Sequence, residues 1–334
     1  MSQTDAPAVG IVGLGGMGKK HARHLRDDGC TVAGGADVAE SARNEFASEF
    51  GAHTDADHAA MYDAVDPDAV VVTTPNTFHA PAATAALERG IDVLCEKPVV
   101  VETEAAERLR DRVADSELTF MAGYQRHLNP GFVAARERYH EEGLEPDHVT
   151  GELTQDWTGH FESGTNWRTD PDVGGRGHLF SVGTHVLESV LWVTGLTPTA
   201  VSAEMDFHDD AGHIDKRASL TVRFANGAVG SFADSAVAPV TREHVHVWDD
   251  AGAAYIDGED WGQRRLTVID GDGTEREPDL AYDEAPSKFA AFAEAVQTGE
   301  DPPATAGDVL TVTALLDAAY ESARTRERVT VDLP

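Results

Sequence analysis

A short apolar run, Ala8-Val9-Gly10-Ile11-Val12, leads directly into Gly13-Leu14-Gly15-Gly16-Met17-Gly18, and a helical pattern continues to about residue 28. Gly13, Gly15 and Gly18 fit G-x-G-x-x-G, with a strand before and a helix after. The first glycine permits the tight turn, the second the close approach of a pyrophosphate, the third the packing of helix on strand. Phosphates then sit at a helix N-terminus, where free N–H groups and the helix dipole favour anions. The motif commits the N-terminal part to a parallel α/β unit that holds a dinucleotide.

The next segments repeat the alternation. A strand over residues 31–36 ends at Asp37, about 20 residues past the glycine loop, where an acid meets the adenosine ribose. Aspartate accepts from ribose hydroxyls and repels a 2′-phosphate, and the following Val38 and Ala39 bring no arginine, which favours NAD over NADP. The same Asp37 suits the cap of a helix starting near Ala39. The β-branched run 69–73 reads as a strand buried on both faces. It ends in Thr74-Pro75-Asn76-Thr77-Phe78-His79, and a helix over 79–89 is stopped by Gly90. Val93-Leu94-Cys95 closes another strand at Glu96-Lys97-Pro98. A helix over 103–115 and a strand over 118–122 complete a doubly wound parallel sheet in residues 1–123.

Ligands collect outside the carboxyl ends of such strands, where Lys97 stands. Lysine responds readily to burial and can serve as a general acid or base. Taken alone, the hexapeptide also fits a surface Glu–Lys pair. The glycine loop, Asp37, Thr74-Pro75-Asn76 with His79, and Cys95-Glu96-Lys97-Pro98 together stand in the order and spacing of the glucose-fructose oxidoreductase / inositol dehydrogenase (Gfo/Idh/MocA) family. The chain resembles that family over essentially its whole length, strongly to Pro98 and more loosely after Gly123. The resemblance implies an NAD(P)-dependent dehydrogenase with an N-terminal Rossmann domain. It implies Lys97 beside the nicotinamide and the reacting hydroxyl. Gly13, Gly15, Gly16, Met17, Gly18, Asp37, Thr74, Pro75, Asn76, His79 and Glu96 would then lie along the cofactor. A sharp turn at Lys97-Pro98 is implied too; since X-Pro is the linkage where cis is cheap, a cis bond is expected there.

Residues 124–334 read as an α+β substrate-binding and oligomerisation domain. Tyr124-Gln125-Arg126-His127-Leu128-Asn129-Pro130 resembles the family's link between domains, with His127 where arginine is usual. Arg126 fits either a substrate ligand or the partner of an acidic neighbour. A helix over 129–142 and a strand over 149–157 follow. The polar loop 158–173 carries Trp167-Arg168, a substrate rim or a tryptophan lid over the core. A helix is expected over 178–194, ended by Gly195. At 100° per residue Leu179, Val182, Val186 and Val190 share one face, with His178, Ser181, His185 and Glu188 beside it. The family pattern here is three glycines, an Asp, and a His four residues on. His185 matches the His, Ser181 takes the Asp position, and Glu188 stands where a second Asp is common. Serine can hydrogen-bond a hydroxyl but cannot act as a base near neutral pH. Lys97 and His185 are therefore the expected catalytic residues, with Arg126, Trp167, Arg168, His178 and Ser181 at the substrate. His178 with His185, and His244 with His246, lack a Cys or carboxylate set at a recognisable ligand spacing, so no metal is expected.

Short alternating runs between residues 201 and 269, with the hairpin signal Asn226-Gly227, read as a large, open antiparallel sheet. One face can cover the helices and the site. The other can pair with a second subunit, as in the resembled family, giving a homodimer or homotetramer. Helices over 288–297 and 305–324 and a strand over 329–332 close the chain. The expected activity is oxidation of a secondary hydroxyl of a sugar, sugar derivative or cyclitol by hydride transfer to NAD. Its rivals are a hydrolase or lyase that uses NAD transiently, and a non-catalytic NAD(H)-binding sensor.

Charge narrows the partners. Asp and Glu number 59 against 26 Lys and Arg, a formal net charge of −33, and only Lys19, Lys20, Lys97, Lys216 and Lys288 are lysines. Such a surface repels nucleic acid and anionic membranes. No apolar run reaches the roughly 18 residues of a membrane span, and residues 1–7 lack a secretory pattern. Cys30 and Cys95 cannot form a disulfide framework, which fits a reducing cytoplasm. Acid surplus with so few lysines fits a halophilic protein. The Debye length falls from about 30 Å at 0.01 M salt to about 3 Å at 1 M, so carboxylate repulsion fades as salt rises. Melting temperature and initial rate should therefore both climb between about 0.1 and 2 M potassium chloride. A flat or falling melt across that series would refute the salt adaptation.

Overall fold

The structure is a computed structural model that describes residues 7–164 and 166–333. It divides into two compact units. The first takes the chain up to Val100, then Glu104–Gly123 and Pro286–Ala306; the second takes Val101–Thr103, Tyr124–Ala285 and the chain from Gly307.

In the first unit, among the described residues, six parallel strands lie in the order β3-β2-β1-β4-β5-β6. They are β1 (Ala8–Val12), β2 (Thr31–Ala36), β3 (His53–Asp55), β4 (Ala69–Val72), β5 (Asp92–Cys95) and β6 (Phe120–Ala122). Val9, Ile11, Val70, Val71, Val72 and Val93 are fully buried, as apolar strands covered on both faces must be. The order reverses between β1 and β4, which creates a crevice at their carboxyl ends. Gly13 sits there at φ +92°, and a Cβ on it would lie 2.7 Å from the Thr73 backbone, so only glycine fits. Two helices, Glu40–Phe50 and His58–Val65, flank β3; the sequence pattern marks only the start of the first.

The helix Lys288–Thr298 groups with this unit, whereas the sequence reading places residues 124–334 together. Its apolar stripe of Phe289, Ala291, Phe292 and Ala295 is buried. Ser287 Oγ donates to Asp28 at 3.0 Å, and Ala122 N–H donates to the Ala304 carbonyl at 3.0 Å. An amphipathic stripe states that a helix must pack, not against which neighbour.

The second unit is built on a mostly antiparallel sheet that has nine strands among the described residues, in the order β14-β13-β12-β11-β7-β10-β9-β8-β15. These are β7 (Pro146–Asp156), β8 (Pro198–Phe207), β9 (Asp215–Phe224), β10 (Val229–Ser235), β11 (Val237–Asp249), β12 (Gly252–Glu259), β13 (Arg264–Asp270), β14 (Glu275–Arg276) and β15 (Val329–Thr330). The exception is the parallel pair β7 and β10. Alternation is clean in β9, where Ala218, Leu220, Val222 and Phe224 point to the core and the residues between them are exposed. The helix Thr184–Thr194 packs against β7 so closely that a Cβ on Gly151 would overlap the Val186 side chain.

Two segments differ from the sequence reading. The loop 158–173 holds short helical turns, Thr158–Ser163, Trp167–Thr169 and Pro171–Gly174. The helix expected from His178 begins as a wider π-turn, Leu179–Gly183, before turning α-helical at Thr184. Asp215 Oδ2 accepts from Leu179 N–H at 2.9 Å, and the Asp234 carboxylate lies against Gly183, where a Cβ would meet it at 2.6 Å. These carboxylates shape the widened turn, so a uniform 100° step cannot assign its faces.

Candidate active site

In the first unit the cofactor-type motifs converge at the β1/β4 crevice. The helix Gly16–Asp27 starts there without a side-chain cap, leaving its first N–H groups to a ligand. A Cβ on Gly15 or Gly16 would meet nothing within 4 Å, so the loop is open toward the crevice. Thr74 Oγ1 is buried without a hydrogen-bond partner. Met17 and Phe78 are about half exposed, at 47% and 50%, although both are large and apolar. Open glycines, an orphaned hydroxyl and exposed apolar side chains fit a bound dinucleotide.

Asp37 ties this region together. Its Oδ2 accepts from Leu14 N–H at 2.8 Å and its Oδ1 from Ala39 N–H at 2.8 Å. Arg43 donates to the backbone carbonyls of Asp37 and Val38 at 2.7 and 3.0 Å. The sequence reading looked for an arginine directly after Asp37 and so passed over this one, which the next helix brings back.

Glu96, Lys97 and Pro98 follow β5, and the Lys97–Pro98 bond is cis. Lys97 is half-buried. His79 is buried, and its Nδ1–H donates to the Pro98 carbonyl at 2.7 Å; burial lowers its pKa. His79 thus braces the turn from within. Glu96 is also buried, hydrogen-bonded to His21 Nε2 at 2.8 Å and ion-paired with Lys288. Burial pushes the Glu96 carboxyl up, but the Lys288 charge and the His21 hydrogen bond outweigh it and hold it well below the usual range. Burial lowers His21. Sequence reasoning missed His21 and Lys288; the only signal was the scarcity of lysine.

In the second unit His178, Ser181 and His185 are all buried. His178 Nδ1 lies 2.8 Å from Asp234, and its Nε2 3.4 Å from Gln155 Oε1, which also accepts from Trp157 Nε1–H at 3.0 Å. His178, expected at the substrate, has 0% exposure and both ring nitrogens facing protein at the start of the π-turn. Asp215, bonded to Tyr320, is pushed up to about 6 by burial and by the Asp234 carboxylate. Two carboxylates thus lie behind the turn that carries Ser181. His185 meets Trp261 edge-on, with ring centres 6.4 Å apart.

Arg126, expected at the substrate or beside an acid, has an acidic neighbour. It is buried and makes a two-pronged pair with Glu243, with Arg126 Nε 2.7 Å from Glu243 Oε1, and Arg264 grips the same carboxylate at 3.0 Å. Burial raises the Glu243 carboxyl, yet the two guanidinium groups hold it below its usual value. His127 pairs with Glu188 and stacks on Trp192 at 4.0 Å; burial raises Glu188 despite that partner. Arg168 stacks over Trp167 at 4.3 Å, both half-buried, and burial lowers its pKa. Among the described residues no group of three or more His, Cys, Asp or Glu could hold a metal ion, and no helix is long and apolar enough to cross a membrane.

Residues 8–124 match a family described as "Oxidoreductase family, NAD-binding Rossmann fold", and residues 132–255 match "GFO/IDH/MocA C-terminal domain". A levoglucosan dehydrogenase of Pseudarthrobacter phenanthrenivorans is 28% identical over 261 residues, 67% of this chain and 66% of its own length, so the chain spans just under two thirds of that relative. A D-xylose 1-dehydrogenase (NADP(+)) of Haloferax volcanii is 28% identical over 270 residues, 79% of this chain and 81% of that protein. The solved structure of a levoglucosan dehydrogenase in complex with NADH matches with a TM-score of 0.86 at 24% identity, over 99% of this chain and 100% of the other.

Replacing Lys288 by methionine leaves a buried carboxylate short of its cation, a loss of roughly 3 kcal/mol at pH 7. Because the Glu96 pKa is depressed on folding, the stability it contributes is present above its unfolded value and lost as pH falls through the folded one. Urea melts should show a gap between wild type and Lys288→Met at neutral pH that narrows as pH falls, because burial makes Glu96 take up its proton earlier in the folded variant than in the folded wild type. Adding Glu96→Gln should recover most of the loss. Equal melts for wild type and single variant would remove the clamp from the account of this turn.

Proposed function

Because the chain belongs to the Gfo/Idh/MocA oxidoreductase family, we propose that it oxidises a secondary hydroxyl of a sugar, sugar derivative or cyclitol with NAD as partner. The observation that carries this reading is the half-buried Lys97 on a turn braced by His79 at the carboxyl end of the parallel sheet. Bound NAD supplies the hydride acceptor. Gly13, Gly15, Gly16, Met17 and Gly18 hold its phosphates, Asp37 its adenosine ribose, and Thr74, Pro75, Asn76 and Glu96 its nicotinamide half. His79 contributes by fixing the turn. Lys97 stabilises the developing alkoxide with its ammonium group, and His185 takes the hydroxyl proton directly or through Lys97. Ser181, Trp167 and Arg168 orient the polyol.

Asp37 supports NAD over NADP, while Arg43 and the naming of the Haloferax relative for NADP(+) weigh the other way. One observation, Ser181 at the family's Asp position, favours a second reading: a hydrolase or lyase that oxidises its sugar only transiently. Tight NAD without net NADH formation marks that enzyme, and NADH binding without turnover across a sugar panel marks a sensor. The outer face of the large sheet carries His148, His246, Trp248 and Tyr255, with His246 stacked on Tyr255 at 4.0 Å. That aromatic ladder supports a homodimer or homotetramer through this face. The acid surplus and unpaired cysteines support a cytoplasm rich in salt.

Spectrophotometric NADH formation against sugars and inositols in 2 M potassium chloride tests the activity directly. Lys97→Ala should lower turnover at least about 10²-fold while NADH still binds, the scale of an acid–base contribution; near-normal turnover excludes Lys97 from the chemistry. Asp37→Ala should shift the NAD-to-NADP ratio of kcat/KM toward NADP by roughly tenfold, about one charge-assisted hydrogen bond. An unchanged ratio, or a wild type that already prefers NADP, sinks the ribose argument.

A further inference from the structure

Trp261 stands out in the second unit. It lies in the turn between β12 and β13 and is 49% exposed, one of few large apolar side chains so open to water. Its ring meets the imidazole of His185 edge-on at 6.4 Å and an interplanar angle of 60°. No hydrogen bond engages its Nε1–H among the described residues, and an indole N–H can only donate.

The turn around it is held with unusual care. Arg264 is 2% exposed and donates to the carbonyls on both sides of the tryptophan, Gly262 at 2.5 Å and Asp260 at 3.0 Å. Its Nε also donates to Glu243 at 3.0 Å, and the Arg126 Nε donates to the same carboxylate at 2.7 Å. The Arg264 guanidinium stands 5.6 Å from the centre of the Trp261 ring. Asp260 occupies the left-handed region at φ +50°, and its N–H donates to the Thr241 carbonyl at 2.9 Å. A buried group of two arginines and one glutamate is costly to desolvate. Here it fixes the backbone on either side of an indole that the fold itself does not bury.

We propose that Trp261 is the stacking platform for a ring-shaped polyol, a pyranose or a cyclitol, and that it sets preference for cyclic over acyclic substrates. This rests on the dehydrogenase reading above. One face of such a ring presents a cluster of C–H bonds, which an indole face receives by dispersion and electrostatics. The ring's rim presents hydroxyls, which suit the free Nε1–H and the neighbouring His185. An acyclic polyol has no fixed C–H face and must lose rotational freedom to form one. Binding by stacking is shared by ground and transition states, so it appears in KM more than in kcat.

Steady-state kinetics in 2 M potassium chloride on wild type, Trp261→Phe and Trp261→Ala, with myo-inositol, D-glucose and sorbitol, tests this. For whichever ring compound is oxidised, Trp261→Ala should raise KM about tenfold with kcat within about twofold, whereas Trp261→Phe recovers most of the affinity. Sorbitol oxidation should change by less than about twofold. Turnover with an unmoved KM overturns the platform and leaves the dehydrogenase reading standing. So does a Trp261→Ala variant that alters sedimentation but not KM, since the tryptophan is then an interface residue. Titration of the NADH-loaded protein with the same compounds, followed by tryptophan fluorescence, keeps the two ideas separate. A ring-specific change seen in wild type and lost in Trp261→Phe supports the platform even without turnover, in which case it is the dehydrogenase reading that fails. Identical titrations of the two proteins overturn the platform.

Discussion

A carboxylate taken out of water must find opposite charge at contact distance, and Glu96 at the end of β5 meets that demand with Lys288 and His21. Each partner comes from a different part of the chain. His21 lies on the helix that follows the glycine loop, and Lys288 opens a helix almost 200 residues later. One buried group therefore joins the helix after the glycine loop, the end of β5 and the late helix, immediately beside Lys97. His79 adds a second brace through the Pro98 carbonyl. The turn that presents the lysine is thus held by neighbours on both sides.

The second unit follows the same rule in part. Among the described residues Glu243 lies between two arginines, Glu188 pairs with His127 and Asp234 with His178, while Asp215 has only neutral donors, Tyr320 and a backbone N–H, and Glu188 and Asp234 each keep one oxygen unpartnered. The surplus of 59 acids over 26 bases is consequently a property of the surface. Mobile ions act on exposed carboxylates and reach these interior groups only weakly.

Much of this was legible from the chain because local chemistry declared it. Gly13 to Gly18, Asp37 and the run from Thr74 to Pro98 impose backbone and ligand requirements within a few residues, and the parallel sheet and cis-proline turn follow. What stayed hidden depended on distant partners. Arg126 suits a substrate or an acid equally in sequence, and its acidic neighbour Glu243 lies more than a hundred residues on. His178 fell on a polar stripe only under uniform helical spacing, which the π-turn breaks. Asp234 and Asp215, on strands far along the chain, place carboxylates behind a helix whose own Asp position holds serine. Trp261 carried no signal at all, since nothing in a turn between strands announces that a tryptophan will remain exposed.

The return of Pro286–Ala306 to the first unit bears on how the protein is made. A ribosome delivers the nucleotide-binding segments first, and domains generally fold in that order as they emerge. Here the nascent sheet emerges long before the helix that covers it. Until Lys288 appears, Glu96 has only His21, and the apolar surface that Phe289 and Phe292 later cover is open. The cofactor-binding unit gains its last helix only after residues 124–285 of the other unit have been made. A polypeptide ending before Lys288 would leave Glu96 without that cation and the surface under Phe289 and Phe292 uncovered.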